Sequence, residues 1–530
     1  MACASTLGVK RNTVLSHVSF YASLLLIAST DGRLAREAGL KAYREGSYRR
    51  AEALFQEELA AARSAGSGEP KVTALADLAR AYAAEGKFEQ ALPLTQESLG
   101  ISTELHGPDS IEVAMRLNDA ASILQAMGRY ADADPKYRRA LTIAEAKHDS
   151  IVPTLLSNLG NLENLQGRYR EADSDYRLAL ATAEETPALQ HTTMIALILN
   201  NLGVVCRNRG HFGEAGSLLE RALKIREEQE GPNHPDVASV VMNLGDLRFA
   251  EGDTMEAERM FRRALEIRTK SLGPEHPLVA ETLNSLANLK KGNGNCLEAE
   301  KTYGSALDIW MKTLGPGNPL IASAWNNLAQ VYVCEKRYKE AAKMFDRAGK
   351  LWETALGPDH PYRAVLAINL GGLYLAENKL EKARVQFEQA VEWNRKRFGD
   401  SNLATARSQA DLAEVRTKQH QYAEGESILR KAIETQNQLE GGQADAARSM
   451  TGLAANYELQ GRYSEAAELY RQALADLEPL AGRNSARLLS ALDSYIAVLR
   501  KLQNYAEAEK LEVRATGIRV KNTLLNEAGT

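Results

Sequence analysis

Apolar positions recur along most of this chain with a helical period rather than a strand period, and the helical segments come in pairs. Val241, Leu244 and Leu247 share one helix face, with small Gly245 beside Leu244. A polar turn at Gly252 follows, and then Ala257, Phe261, Ala264 and Leu265 share one face of a second helix. The same frame returns around Gly46, Gly86, Gly128, Gly167, Gly210, Gly252, Gly294, Lys336, Asn378, His420, Gly461 and Gln503. The steps between these anchors are 40, 42, 39, 43, 42, 42, 42, 42, 42, 41 and 42 residues, which defines twelve repeated units.

The units are expected at 32–65, 72–105, 114–147, 153–186, 196–229, 238–271, 280–313, 322–355, 364–397, 406–439, 447–480 and 489–522. They make one repeat region over 31–522, between an N-terminal segment 1–30 and a tail 523–530. A helix pair this short cannot bury its apolar faces alone, so neighbouring units must stack. The predicted fold is all-α, an α-solenoid with the first helices on its concave wall. Glycine or alanine seven residues before the anchor, as at Ala79, Gly203 and Ala329, and alanine five after it predict close helix–helix approach. The aromatic nine after it is expected to fill space against the next unit. Glycine at the anchor suits a left-handed residue that ends a helix. Lys336, Asn378, His420 and Gln503 at that place predict strain or a different turn.

Between units lie the joints GPNHP (231–235), GPEHP (273–277), GPGNP (315–319) and GPDHP (357–361), each 42 residues after the last. Glycine suits the end of one helix and proline the first turn of the next. Equivalent residues in stacked helix pairs are about 20 Å apart at ~10 Å per helix, so His234, His276 and His360 cannot share a metal. They are expected to bond backbone at the turn.

Composition narrows the function. The charged fraction is 25% and the net charge −4, so no basic field is present to hold a phosphate backbone, and nucleic acid is excluded as an expected partner. Cys3, Cys206, Cys296 and Cys334 are scattered without CxxC spacing, and neither a zinc site nor a disulfide framework is expected. No GxxxxGK[ST], HExxH or GxSxG occurs, and GNGN at 292–295 lacks the third glycine of a dinucleotide loop. No catalytic residue, metal or small-molecule cofactor is expected.

The residues around each anchor resemble the tetratricopeptide repeat. Leu244, Gly245, Ala257, Phe261 and Ala264 stand where that family places them, and ETLNSLANLKKGNGNCLEAEKTYGSALDIW, in the seventh unit, carries the pattern well. The long period and the LGPxHPxVA joints resemble the repeats of kinesin light chains, best from about 196 to 440. Unit one departs with Glu58 for the second alanine, and unit twelve with Glu512 for the aromatic. No heptads precede the repeats, so motor binding is not implied. The resemblance implies a right-handed superhelix that recognises peptides or proteins along its concave groove.

The groove candidates are amides. Asn158, Asn201, Asn243, Asn327 and Asn369 stand nine before their anchors, where Ser285 interrupts the series and units two, three and ten carry Asp77, Asp119 and Asp411. Asn118, Asn200, Asn284 and Asn326 stand one residue earlier. An amide offers two donors and an acceptor, so such a row can hold an extended peptide main chain. The competing reading is that the amides bond between adjacent units and fix their stacking. Asn161, Asn164, Asn208, Asn288 and Gln330 continue the same face.

Residues 1–30 leave two readings open. The apolar run near Val18 to Ala28 has the length of a signal-peptide core, though no A-x-A follows. It also suits a helix capping unit one. The chain is therefore expected to be a binding scaffold, in the cytoplasm or exported. The alternatives are an exported or membrane-associated assembly or receptor factor, or a peptide-responsive regulator.

Overall fold

The computed structural model describes the backbone of residues 30–528 apart from 65–67, 191, 482–484 and 486–487. The apolar run before Thr30 lies outside these residues. Among the described residues the chain forms twenty-four helices in twelve antiparallel pairs and no strand. They run from Thr30–Arg44 and Tyr48–Ser64 in the first unit to Leu489–Lys501 and Tyr505–Ala528 in the twelfth. The first helices of neighbouring units touch one another repeatedly, and the second helices do so less, which puts the first helices on the inner, concave side. None of the described helices is long and apolar enough to cross a membrane.

The small residues act within a unit as well as between units. A Cβ at Gly245 would lie 2.9 Å from the ring of Phe261, so the aromatic nests on the small residue of its own helix pair. The same ring also reaches Leu286 and Leu289 of the next unit, as the sequence pattern predicts. Ala257 and Ala264 are fully buried beside it.

Every anchor adopts the left-handed conformation. The glycines do so at φ 70–84°, and Lys336, Asn378, His420 and Gln503 use the same turn at φ 58–64°. Of the two expected outcomes the strained one occurs, and each of these four residues bears a conformational cost of about 1–2 kcal/mol.

Three of the glycine anchors have a further role in the superhelix. After about six units the solenoid completes a turn, and the joints of the second turn rest on the anchors of the first. Asn318 Nδ2 donates to the carbonyl of Ala84 at 3.2 Å, and Asn402 Nδ2 to that of Gln166 at 3.2 Å, across 234 and 236 residues. His276 lies near the carbonyl of Arg44, but its Nε2 is buried without a hydrogen-bond partner. Arg209 Nε donates to Glu440 at 2.6 Å, and Arg170 pairs with the same carboxylate at 3.0 Å. Beneath the joints, Phe88 and Tyr130 enter an apolar cluster with Trp352, Leu356 and Tyr362, and Arg397 lies over the Tyr130 ring at 4.8 Å. At this seam a Cβ on Gly46 would stand 2.7 Å from Pro277 Cδ, and one on Gly128 2.5 Å from Pro361 Cδ; Gly86 meets Pro319 still more closely. Glycine is therefore required twice there, for its φ and for the approach of the next turn. Among the described residues no later unit covers Lys336, Asn378 or His420, and these are exposed.

Each of these joint residues also bonds the helix it opens. His276 Nδ1 accepts from Leu278 N at 3.1 Å, Asn318 Oδ1 from Leu320 N at 2.9 Å, His360 Nδ1 from Tyr362 N at 3.2 Å and Asn402 Oδ1 from Ala404 N at 2.8 Å. The side chain after the joint caps its own helix with one edge. Where a turn lies below, the other edge meets the end of a helix six units away.

The cysteine expectation is corrected. Cys296 and Cys334, 38 residues apart, form a disulfide between units seven and eight. Their spacing matches no linear motif because the bond joins equivalent edges of consecutive repeats, which only stacking brings together.

Two outcomes follow from the seam. Gly86→Ala and Gly461→Ala impose the same strained φ, at 77° and 75°, but only Gly86 faces another turn. Gly86→Ala should therefore cost about 1–3 kcal/mol more in a denaturation series, the usual penalty of overpacking. Burial pushes His276 down to about 4, partly opposed by the Arg44 carbonyl. Its folded value lies below the unfolded value of about 6.5, so the unfolded chain takes the proton first. The contribution of His276 should be complete above about pH 6.5 and be lost as pH falls towards 4. His276→Asn, which copies Asn318, should flatten that part of a melting-temperature profile.

Candidate peptide-binding wall

The inner wall is built where two residues of each first helix, nine and ten before the anchor, face the neighbouring units. An amide in an interior helix position needs a partner outside its own helix. Here the partner is the next amide. Asn158 Nδ2 donates to Asn118 Oδ1 at 2.7 Å, Asn243 to Asn200 at 2.7 Å, Asn327 to Asn284 at 3.1 Å and Asn369 to Asn326 at 2.8 Å. In each pair the residue at minus nine donates to the residue at minus ten one unit earlier. Asn200 also donates to Asn201 at 3.2 Å.

This rule accounts for the interruption at Ser285. The residue at minus ten in the unit before it is Met242, which is buried and offers no amide oxygen. An asparagine at 285 would have no acceptor there. Asp77 obeys the rule in another form, since the unit before it presents Arg36, whose Nε donates to Asp77 Oδ2 at 2.8 Å.

The nine candidate asparagines do not share one environment. Asn118, Asn200, Asn201, Asn243, Asn326 and Asn369 are buried, and Asn158, Asn284 and Asn327 are half-buried. Further along the wall, Asn161 accepts from the hydroxyl of Tyr176 at 2.6 Å and Asn288 from that of Tyr303 at 2.5 Å. Asn208 donates to Asn164 at 3.0 Å, and Gln330 accepts from Lys291 at 2.9 Å. These bonds tie the second helix of a unit to its first, or one unit to the next.

Charge gathers at the two ends of the wall, which sequence reading did not anticipate. Asp77 sits between Arg36 and Arg80, the latter at 2.9 Å. In units ten and eleven, Arg407 pairs with Asp445 at 2.6 Å. Burial pushes the nearby Asp411 carboxyl up to about 7, against the pull of Arg448 and Arg407. The available signal was the pairing of Arg36 with Asp77 in the positions where other units carry two amides.

One joint brings metal-ligand types together. Glu230, His234 and Asp236 could each turn an atom to a common point. That place is already served by a cation, because Arg226 Nη1 donates to Glu230 at 2.7 Å and to Asp236 at 3.1 Å. His234 Nδ1 accepts from Asp236 N at 3.3 Å. The cluster is a capped helix junction in which one guanidinium bridges two carboxylates.

Comparison with known proteins bears on the repeat itself. Residues 71–146, 194–268, 236–312, 279–348, 320–396 and 398–478 match a family model described as tetratricopeptide repeat, and 154–186 match a second model of that description. No curated protein matches the sequence. Among solved structures, BtubC (BKLC) from P. vanneervenii is 26% identical over 43% of this chain and 92% of its own, with a TM-score of 0.37. A variant of a Podosopora anserina putative kinesin light chain with nearly identical TPR-like repeats is 23% identical over 39% and 97%, with a TM-score of 0.33. Yeast Tom70 is 18% identical over 94% and 95%, with a TM-score of 0.39.

The register rule can be tested by moving it. Met242→Asn alone should destabilise by about 1–3 kcal/mol, the cost of a buried amide with no partner. Adding Ser285→Asn supplies the missing donor and should recover part of that loss. A double-mutant cycle should then give a favourable coupling of about 0.5–3 kcal/mol.

Proposed function

Because the chain belongs to the tetratricopeptide repeat family, we propose that it is a non-enzymatic scaffold that binds an extended peptide or protein segment along its inner wall. The observation that carries this reading is the incomplete saturation of the half-buried amides. Asn158 and Asn327 each use one of two N–H donors in the ladder, and Asn284 is engaged through its oxygen. Their remaining donors and acceptors suit a peptide backbone, which presents one donor and one acceptor per residue. The buried members, Asn118, Asn200, Asn201, Asn243, Asn326 and Asn369, hold the register of the wall. The amide row itself is neutral and polar, which favours main-chain recognition over selection by charge.

The disulfide favours a second reading of the same scaffold, as a receptor or assembly factor in an oxidising compartment. The N-terminal residue of the mature protein distinguishes it from a cytoplasmic scaffold.

The wall itself is tested with an array of short unstructured peptides. The wild-type protein should bind a subset of them. Replacing Asn158, Asn284 and Asn327 together by alanine should weaken binding at least about tenfold, or ~1.4 kcal/mol, with the helical circular dichroism retained. Undiminished binding by a folded triple variant would move the site elsewhere.

A further inference from the structure

Cys296 opens the second helix of unit seven, two residues after its anchor, and Cys334 ends the first helix of unit eight, two before its anchor. On the first turn these same positions belong to the seam. Tyr48, Phe88, Tyr130 and Tyr169 stand two after their anchors, and Phe88 and Tyr130 are buried under the second turn. Two before the anchor stand Arg44 and Ala84, whose carbonyls meet His276 and Asn318. Phe88 of unit two packs with Ala126 of unit three in one apolar cluster beneath Trp352 and Leu356. On the uncovered edge of units seven and eight no turn lies above, and a covalent bond joins the corresponding pair.

The opposite edges of these two units make the first two seam contacts. His276 and Pro277 open unit seven against Arg44 and Gly46, and Asn318 and Pro319 open unit eight against Ala84 and Gly86. Units seven and eight therefore carry the disulfide on one edge and two seam contacts on the other.

We propose that Cys296–Cys334 is a thiol-exchange site that locks the superhelical turn when oxidised and releases it when reduced by a thiol or dithiol. Cys334 is exposed and Cys296 is 7% exposed, so the attacking thiolate reaches Cys334. The thiolate forms a bond to the Cys334 sulfur, the S–S bond breaks, and its electron pair leaves on Cys296 as a thiolate that takes up a proton. A second thiol attacks the mixed disulfide, leaving both cysteines reduced and the reagent as its own disulfide. Among the described residues Cys206 is the one free thiol, and burial pushes it up to about 12, which keeps it out of the exchange.

The test is hydrogen–deuterium exchange on the full chain, air-oxidised and after dithiothreitol, with peptide mapping of the disulfide. The oxidised protein should yield the linked Cys296–Cys334 peptide. Reduction should raise exchange about tenfold at the anchor segments around Gly46 and Gly86 and at the joints around His276 and Asn318. Protection in units eleven and twelve should stay the same. A Cys296→Ser/Cys334→Ser variant should match the reduced protein and ignore dithiothreitol, and if it does not fold, the wild-type comparison still decides. Two free thiols in the oxidised protein, or a linked peptide with equal seam exchange in both states, would overturn the proposal.

Discussion

The joint side chain that opens a first helix has two hydrogen-bonding edges, and the seam is built where both are used. One edge caps the helix that begins there. In Asn318 and Asn402 the other edge donates to a carbonyl at the end of a helix in the turn below, and His276 lies beside the equivalent carbonyl of Arg44. Helix ends expose backbone groups that need partners, and the joint serves two ends at once. This is why asparagine can replace histidine without disturbing the frame. Each presents an acceptor towards the near helix. Asn318 and Asn402 add a donor towards the far one and keep a fixed charge state, whereas an imidazole can accept only when neutral.

The inner wall follows a related economy. Its amides are satisfied by one another before any ligand arrives, which lets polar residues occupy a helix face that is largely shielded from solvent. The pairing runs in one direction, from minus nine in a unit to minus ten in the unit before. At the four boundaries where it occurs the ladder ties one unit to the next, and it leaves a limited set of amide groups unsaturated. Recognition and stacking are not competing roles for this row. The buried members set the spacing at which the half-buried members stand.

Most of the fold was legible in the sequence because its determinants are local and repeated. The period, the helix pairs, the positive-φ anchors and the capped joints all sit within one unit, so each is written up to twelve times. The ladder was legible in part. The asparagines were visible, but their direction of pairing requires the offset between stacked units, and the break at Ser285 is explained only by Met242 in the preceding unit. The seam was not legible, because it depends on how many units complete a turn, a property of small summed rotations that no single repeat encodes. The anchors carry no clean trace of it, since glycine stands both where the next turn is close, at Gly46, Gly86 and Gly128, and where nothing lies near, at Gly294 and Gly461. The disulfide was hidden for a similar reason, since Cys296 and Cys334 are close only through stacking.

The central claim is that the solenoid closes a turn and holds it through the joints. A distance measurement by pulsed electron paramagnetic resonance between spin labels at the exposed Glu89 and Gly317 tests it directly. These residues are more than two hundred positions apart in sequence and lie on either side of the seam, next to Gly86 and Asn318. A closed turn predicts a narrow distribution centred below about 25 Å. An open stack of six helix pairs at ~10 Å per helix would spread the labels well beyond about 50 Å, and that result would contradict the account.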